Sequence, residues 1–344
     1  MTTMFSPPVQ AALDSVDEAA YTSRPDGSRV PQTSAPKIIA SMLDLLDVTP
    51  GRRVLEIGTG SGYSTALLSG LVGDDGHVTS VEVVPELTAR AADLLSAHGR
   101  RNVELICGDG VKGAPGSGQI FDRVIAWATV ERIPDAWLRQ VAPGAVLVTP
   151  VNVTGLAKTF MVVRARYDGR ALQPQQLLEA GFVEAHDQVV DQWLVPPYGA
   201  DALIRDEQGR PWWLSARWLR GRATAAGEAL LARLITEPRE SPGPLTEVED
   251  SAAFYNYLLA TRPAELATAA LGEPVWRIGC ATPAGAALIT ADDAQHTVHA
   301  GDEEALRVLT GWAETWRADG SPGVDRMRPV LQRGDDGWRV RLAL

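Results

Sequence analysis

The chain has 344 residues, 45% of them hydrophobic, and its formal net charge is −11 with a pI near 5.0. This length and hydrophobic content suffice for a large core and predict more than one domain. The acidic charge argues against nucleic acid as the main partner, because binding to phosphates needs a clustered basic surface.

The cysteine content and the hydropathy of the chain indicate a cellular compartment. Cys107 and Cys280 are too far apart in sequence for a disulfide framework or a metal-ligand spacing, which fits a reducing cytosol. No apolar run reaches membrane-spanning length, and residues 1–8 lack the charged and apolar regions of a signal peptide. We therefore expect a cytoplasmic protein without membrane contact. The oligomeric state is not determined by the sequence.

The first 50 residues predict two helices separated by a polar loop. The first helix is predicted at 9–20, and a loop containing proline and glycine follows it. The second helix is predicted at 37–46, with Ser34 as its N-cap and Pro36 in its first turn.

Residues 54–63 contain the most informative pattern in the chain. An apolar run with strand character enters a loop that has glycine at every second position, and an apolar run with helical spacing follows. Glycines allow the backbone to turn sharply and a ligand to lie against the main chain. A second strand, predicted at 78–83, contains Glu82 at the place where an acid can hold ribose hydroxyls. Together these features predict a nucleotide-type ligand.

Strands and helices alternate over the next hundred residues. Strands are predicted at 103–107, 121–126, 145–150 and 159–167, and helices at 85–99 and 135–141. Strands separated by helices predict an α/β fold with a doubly wound, mostly parallel sheet, whose ligands bind at the carboxyl ends of the strands. Cys107, on a predicted strand, is interpreted as a small buried hydrophobic residue, and Asp168–Gly169 as a hairpin turn.

The pattern changes after about residue 180, where eight of the ten tryptophans lie. Hairpins are predicted from 275–281 with 286–290 and from 328–332 with 338–342, the latter turning at Asp335–Gly337, and helices at 223–236 and 303–318. We predict a first domain at 1–180 and a C-terminal α+β domain at 181–344. Tryptophans in such a domain are more often core residues than ligand contacts.

Three motifs resemble those of protein-L-isoaspartate O-methyltransferases: residues 54–63, Phe121-Asp122-Arg123-Val124-Ile125, and Ser34-Ala35-Pro36. The resemblance spans about residues 5–170 and implies a Rossmann-like class I methyltransferase domain that binds S-adenosylmethionine. It implies cofactor contacts at Glu56, Gly58, Thr59, Gly60, Gly62, Tyr63, Glu82, Val83, Gly108, Asp109 and Gly110. It also implies Ser34 as the catalytic residue that hydrogen-bonds the substrate carboxylate, with substrate contacts from Thr33, Ala35, Lys37 and Thr129.

The length of the chain departs from the repair enzymes of that family, which are far shorter. In its long, tryptophan-rich C-terminal half the chain is similar to extended relatives in bacterial clusters for lanthipeptides, lasso peptides and graspetides. Those relatives methylate one aspartate of a ribosomally made precursor, and the ester then closes to an aspartimide. The resemblance therefore implies a carboxyl O-methyltransferase whose second domain binds the peptide substrate. Methylation of isoaspartyl residues in damaged proteins is one alternative, and a peptide-binding module without turnover is another.

Two further alternatives concern the ligand. A glycine-rich loop followed by an acid also suits a dinucleotide, but the third glycine falls too early for Gly-x-Gly-x-x-Gly, and Glu56 lies inside the first strand. His296 and His299, near Asp292 and Asp293, have a spacing that could touch a metal, but no further ligands accompany them. We therefore expect S-adenosylmethionine as the cofactor and no metal.

Overall fold

The computed structural model describes residues 5–31, 33–186, 195–220, 224–273 and 275–344, so that Trp193 lies outside the described residues. The chain forms two compact units that are interleaved in sequence. The first consists of Met1–Val151, Met161–Val189 and Leu331–Arg339, and the second of Asn152–Phe160, Val190–Val330 and Val340–Leu344. The predicted division at residue 180 lies near one of these boundaries but omits the other exchanges of chain.

The first unit contains one seven-stranded sheet flanked by helices. The strands of this sheet are β1 (Arg53–Ile57), β2 (His77–Glu82), β3 (Val103–Cys107), β4 (Phe121–Ala126), β6 (Val141–Asn152), β7 (Phe160–Tyr167) and β8 (Leu172–Leu178), and the short strand β5 (Ile133–Pro134) lies outside it. Its helices are α1 (Pro7–Ser15), α2 (Glu18–Thr22), α3 (Pro36–Leu46), α4 (Tyr63–Val72), α5 (Pro85–Ala97) and α6 (Asp135–Leu138).

The strand order in this sheet is β3-β2-β1-β4-β6-β7-β8. The strands from β3 to β6 pair in parallel, whereas β7 and β8 form an antiparallel hairpin whose turn is Asp168–Gly169. The predicted doubly wound, mostly parallel sheet is therefore confirmed. The main apolar core lies between β1, β2 and the helices α1, α3 and α4, with Leu43, Val54 and Leu67 almost fully buried.

Three predictions in this unit are corrected by the structure. The helix predicted at 9–20 is two helices, because the Asp17 side chain accepts a hydrogen bond from Ala19 N and begins a new one. Ser34 is not the N-cap of α3: Ala35, extended as residues before proline usually are, takes that place without a side-chain bond. Cys107 is exposed rather than buried, because β3 is the edge strand of the sheet.

The second unit contains an antiparallel sheet in the order β11-β15-β14-β13-β12-β10-β9. Its elements are β9 (Ala202–Arg205), β10 (Pro211–Ala216), α7 (Ala225–Thr236), β11 (Arg239–Pro242), α8 (Ser251–Thr261), β12 (Leu266–Leu271), β13 (Trp276–Ala281), β14 (Gly285–Thr290), β15 (His296–Gly301) and α9 (Glu304–Ala318). Leucines of α7 pack on small residues of the sheet such as Ala269 and Ala286. The predicted hairpin of β13 and β14 is present, whereas alanine-rich β12 was missed because alanine has low strand propensity.

The last hairpin of the chain consists of β16 (Arg328–Arg333) and β17 (Gly337–Ala343), and in the first unit β17 pairs with β5. Two ion pairs accompany this pairing, Arg132 with Asp336 and Arg333 with Asp135. Asp336 therefore has an ion-pair partner as well as a place in the turn. The first unit is completed by residues that follow most of the second in sequence.

No helix in the described ranges is long and apolar enough to cross a membrane.

The turn after β3 packs against the end of β1. A Cβ on Gly110 would lie 2.4 Å from Cγ2 of Ile57, whereas a Cβ on Gly108 would meet no atom within 4 Å. The carbonyl of Gly110 also accepts a hydrogen bond of 2.8 Å from the indole N–H of Trp137 on α6. Packing against Ile57 therefore requires glycine at position 110, whereas no packing contact requires it at position 108.

We predict that Gly110→Ala lowers the free energy of unfolding by about 1–3 kcal/mol, because the new methyl group has to displace Ile57. The matched variant Gly108→Ala should change it by less than about 0.5 kcal/mol. Denaturant unfolding followed by circular dichroism measures both values. Equal losses in the two variants would contradict the packing described here.

Candidate active site

The glycine loop, residues 58–62, connects β1 to α4 at the carboxyl edge of the parallel sheet. Gly58, Gly60 and Gly62 have φ angles of +93°, +54° and +84°, which other residues rarely adopt. A Cβ on Gly62 would also lie 3.2 Å from Cβ of Ala91, whereas one on Gly60 would meet no atom within 4 Å. The glycines therefore permit the turn, and at Gly60 they leave the main chain open to a ligand.

Glu82, at the end of β2, lies beside this loop. One of its carboxylate oxygens accepts a hydrogen bond from Gly60 N at 2.8 Å, and the other accepts one from Val84 N at 3.0 Å. A carboxylate has about four acceptor sites, so roughly two remain for ligand hydroxyls. Val83, between Glu82 and Val84 in sequence, is half-buried. This geometry fits an acid that holds the ribose of a nucleoside.

Glu56 lies under the loop and is fully buried. One oxygen accepts from the Ser64 hydroxyl at 2.6 Å and from the Trp127 indole at 2.8 Å. The other accepts from the hydroxyls of Thr65 at 2.5 Å and Ser80 at 2.7 Å. Burial raises the pKa of Glu56, and the four hydrogen bonds oppose that rise. With every acceptor site occupied by the protein, Glu56 positions the loop.

The side chains of Thr59 and Tyr63 also point into the protein. The Thr59 hydroxyl lies 2.6 Å from that of Ser80, and Thr59 is almost fully buried. Tyr63 belongs to the apolar core, where its ring centroid lies 6.4 Å from that of Tyr21. Burial, and secondly Glu18, raise the pKa of Tyr63. Any contact of these two residues with a cofactor would therefore be made through their backbone.

The turn after β3 lies next to Glu82, because Gly108 N donates a hydrogen bond of 2.8 Å to the Glu82 carbonyl. Asp109 caps a single helical turn by accepting from Val111 N at 3.0 Å, and it lies 3.3 Å from the Lys112 ammonium. Space without side chains at Gly108 and Gly60, together with the free acceptor sites of Glu82, fits a nucleoside cofactor.

The N-terminal segment covers the glycine loop. Arg90 donates one hydrogen bond to the Ser61 carbonyl at 3.1 Å and another to the Ser23 carbonyl at 3.0 Å. Tyr21 lies 3.5 Å from the place where a Cβ on Gly62 would be. Sequence patterns did not indicate this role for Arg90, because a lone arginine on a helix has no distinguishing signal.

Helix α3 brings Ser34 toward the same edge of the sheet. The helix is about 16 Å long, close to the roughly 17 Å of β1, and it contacts β4 and, through Arg164, β7. Its last turn is fixed by Arg123 of β4, which donates to the carbonyls of Leu46 and Asp47, and β1 begins only six residues later. The end of α3 therefore lies at the amino edge of the sheet, and its beginning lies toward the glycine loop.

The residues predicted to contact the substrate differ in exposure and in hydrogen bonding. Ser34 is half-buried, and its hydroxyl makes no cap to α3. Ala35 and Lys37 are exposed, and the Thr33 hydroxyl donates to the Val30 carbonyl at 2.7 Å. Ser34 is thus the residue of this group that combines partial burial with a hydroxyl not used by the helix.

Thr129 is almost completely enclosed by a segment that the sequence patterns did not identify. Its N–H donates to the Val183 carbonyl at 2.7 Å, its hydroxyl donates to the Phe182 carbonyl at 3.3 Å, and its carbonyl accepts from Ala185 N at 2.8 Å. Phe182 also contacts Trp127, with ring centroids 6.4 Å apart. Thr129 therefore holds residues 182–185 beside the end of β4, and its hydroxyl is already used.

The two histidines weighed as metal ligands have separate partners in the second unit. His296 Nδ1 lies 2.8 Å from Asp293, and His299 Nε2 lies 2.7 Å from the Ser241 hydroxyl. Within the described residues, no group of three or more potential ligands is placed to hold a metal ion.

Comparison with known proteins identifies the family to which the chain belongs. The family described as Protein-L-isoaspartate(D-aspartate) O-methyltransferase (PCMT) matches residues 9–189. A protein-L-isoaspartate O-methyltransferase from Ignicoccus hospitalis is 42% identical over 134 residues, which are 39% of this chain and 63% of that protein. One from Anaeromyxobacter dehalogenans is 44% identical over 152 residues, 44% of this chain and 71% of that protein. The chain thus spans less than two thirds of the Ignicoccus protein.

A solved structure named protein-L-isoaspartate O-methyltransferase has a similar fold. It aligns with 97% of this chain and 94% of its own, with a TM-score of 0.51 and 20% sequence identity. This alignment extends beyond residue 189, where the family match ends. Since the family match covers more than half of the chain, the protein belongs to the protein-L-isoaspartate O-methyltransferase family, whose members depend on S-adenosylmethionine.

Proposed function

We propose that this protein esterifies a side-chain carboxylate of a polypeptide with the methyl group of S-adenosylmethionine. The observation that carries the proposal is the meeting, at one edge of the sheet, of the open glycine loop, Glu82 and the beginning of α3 with Ser34. The glycine loop and Glu82 suit the nucleoside, and the beginning of α3 suits an anionic acceptor.

On the cofactor side, the residues of the chain bind S-adenosylmethionine and orient it. S-adenosylmethionine supplies a methyl group on a sulfonium, which is transferred without acid or base catalysis because an aspartate is already ionised at neutral pH. The free acceptor sites of Glu82 would hold the ribose hydroxyls, and the turn at 108–110 would receive the base. Glu56 keeps the loop in place through the side chains of α4 and β2.

On the acceptor side, the Ser34 hydroxyl donates a hydrogen bond to one oxygen of the substrate carboxylate. This bond orients the second oxygen for methyl transfer. The first N–H groups of a helix lack intrahelical partners, and they favour an anion at the beginning of α3. Lys37, exposed in the first turn, adds a positive charge. Orientation of this kind accounts for much of the acceleration of a transfer between two bound groups.

Within this reaction class, we propose that the acceptor is one specific aspartate of a ribosomally made precursor peptide. Esterification activates the carbonyl, because methoxide leaves an ester far more readily than oxide leaves a carboxylate. The backbone nitrogen of the next residue attacks the ester carbonyl, its proton leaves with methoxide as methanol, and a five-membered aspartimide remains. The second unit supports this proposal, because a second folded unit in the same chain offers a surface for one particular peptide.

Repair of isoaspartyl residues is the second candidate. It is favoured by the names of the similar proteins and by the solved structure that aligns with nearly the whole chain. Chain length therefore does not separate the two acceptors.

Mass spectrometry distinguishes these functions. The purified protein is incubated with S-adenosylmethionine and either an isoaspartyl peptide or the precursor encoded beside its gene. We expect the precursor alone to gain about 14 Da and then to lose methanol, as esterification and closure require. Gain on any isoaspartyl peptide would instead establish repair. Absence of gain on both, with cofactor binding intact, would leave the site as a binding module.

We predict that Ser34→Ala lowers kcat by roughly 10- to 100-fold, because a hydrogen bond to a charged oxygen contributes about 1.5–3 kcal/mol. The affinity for S-adenosylhomocysteine should be unchanged. Ser41→Ala is the matched control, since the Ser41 hydroxyl of the same helix donates only to the Lys37 carbonyl. A kcat of Ser34→Ala equal to that of the control would remove Ser34 from the site.

We predict that Glu82→Gln weakens binding of S-adenosylhomocysteine by about tenfold, because the amide nitrogen replaces one acceptor oxygen. Isothermal titration calorimetry measures the dissociation constant. Glu86→Gln, an exposed position in the first turn of α5, removes the same charge and should have no effect. If both variants bind like the unchanged protein, Glu82 does not hold the ribose.

A further inference from the structure

Four arginines come together on the second unit. Arg217 begins the helical turn after β10, Arg220 follows that turn, and Arg262 is the C-cap of α8. The fourth, Arg341, lies exposed on β17. We call Arg217, Arg220, Arg262 and Arg341 the arginine cluster.

The guanidinium groups of the arginine cluster lie close enough to affect one another, and Arg220 also donates a hydrogen bond to the Gly155 carbonyl. Burial lowers the pKa of Arg217 first, and the guanidinium groups of Arg262, Arg220 and Arg341 lower it further. Burial and then Arg341 lower the pKa of Arg262. Among the described residues, the carboxylate paired with the cluster is that of Asp201, 4.0 Å from Arg220. The cluster therefore carries more positive charge than the neighbouring acid neutralises, in a chain with a net charge of −11.

Hydrogen bonding within the arginine cluster is incomplete. Arg217 donates one bond, of 3.3 Å, to the Arg262 carbonyl. Arg262 has a left-handed backbone with φ of +48°, and its Nε is buried without a hydrogen-bond partner among the described residues. The C-terminal dipole of α8 accounts for one cation at this position. It does not account for the unpartnered Nε or for the convergence of Arg341 on the same place.

We infer that the arginine cluster is a docking surface for an acidic segment of the polypeptide that accepts the methyl group. Carboxylates match guanidinium groups in charge and in planar geometry, and they would supply the partners that the cluster lacks. A long nucleic acid fits less well, because the acidic remainder of the chain repels an extended polyanion. The inference rests on the proposed function for the identity of the acceptor, and on the cluster alone for its chemistry.

Direct binding tests the surface without catalysis. The full-length protein is titrated by fluorescence anisotropy with a labelled twelve-residue peptide that contains six glutamates and no aspartate, at 50 and 200 mM salt. We expect Arg341→Gln and Arg262→Gln each to weaken binding by about 3- to 10-fold, and added salt to weaken binding to the unchanged protein. Arg307→Gln, at an exposed arginine of α9, removes the same charge and should leave the affinity within about twofold.

Two results would overturn the inference. The first is equal binding by the cluster variants and the control. The second is tighter binding of a single-stranded DNA 12-mer than of the acidic peptide, which would make the cluster a nucleic-acid site.

Methylation kinetics on two acceptors distinguish a failure of the docking surface from a failure of the proposed function. Two acceptors are compared, one carrying an acidic segment and one in which its glutamates are glutamines. Arg341→Gln should raise KM for the acidic acceptor by about 3- to 10-fold, with kcat and the KM of the neutral acceptor unchanged. An enzyme that methylates both acceptors equally well with and without Arg341 refutes the docking surface. A protein that methylates neither refutes the proposed function, and peptide binding then decides the docking surface.

Discussion

The methyltransferase site depends on the hydrogen bonding of one buried carboxylate, Glu56. An ionised carboxylate without donors would be unstable there by several kcal/mol, so the chain has to deliver a donor to every acceptor site. Ser64 and Thr65 come from the first turn of α4, Ser80 from β2, and Trp127 from beyond β4. The loop between β1 and α4 is held in position because its flanking elements converge on this one group.

This arrangement divides the work of the first unit into support and contact. Glu56 supports the loop from below, whereas Glu82 lies above it with acceptor sites that the protein does not use. The N-terminal segment is tied to the loop by Arg90 and leads to Ser34. The glycine loop, Glu82 and the segment before α3 thus come to one edge of the sheet from different parts of the chain.

Much of the fold could be predicted from the sequence. The strands at 103–107 and 121–126 were predicted to the residue, because apolar runs between turn residues leave few alternatives. The burial of Cys107 was predicted wrongly, since periodicity does not reveal that β3 is an edge strand. The segment at 182–185 was not anticipated, because its link to Thr129 is made by backbone hydrogen bonds, which are independent of side-chain pattern.

The sequence by itself determined the alternation of strands and helices, the glycine loop and the acid after the second strand, because these depend on local periodicity and on the freedom of glycine. Tertiary structure alone decided that four side-chain donors occupy the carboxylate of Glu56, whereas Glu82 accepts from the backbone N–H groups of Gly60 and Val84. It also brought the Arg217 side chain to the Arg262 carbonyl at the end of α8. Such convergence depends on contacts between residues distant in sequence, which no local pattern encodes.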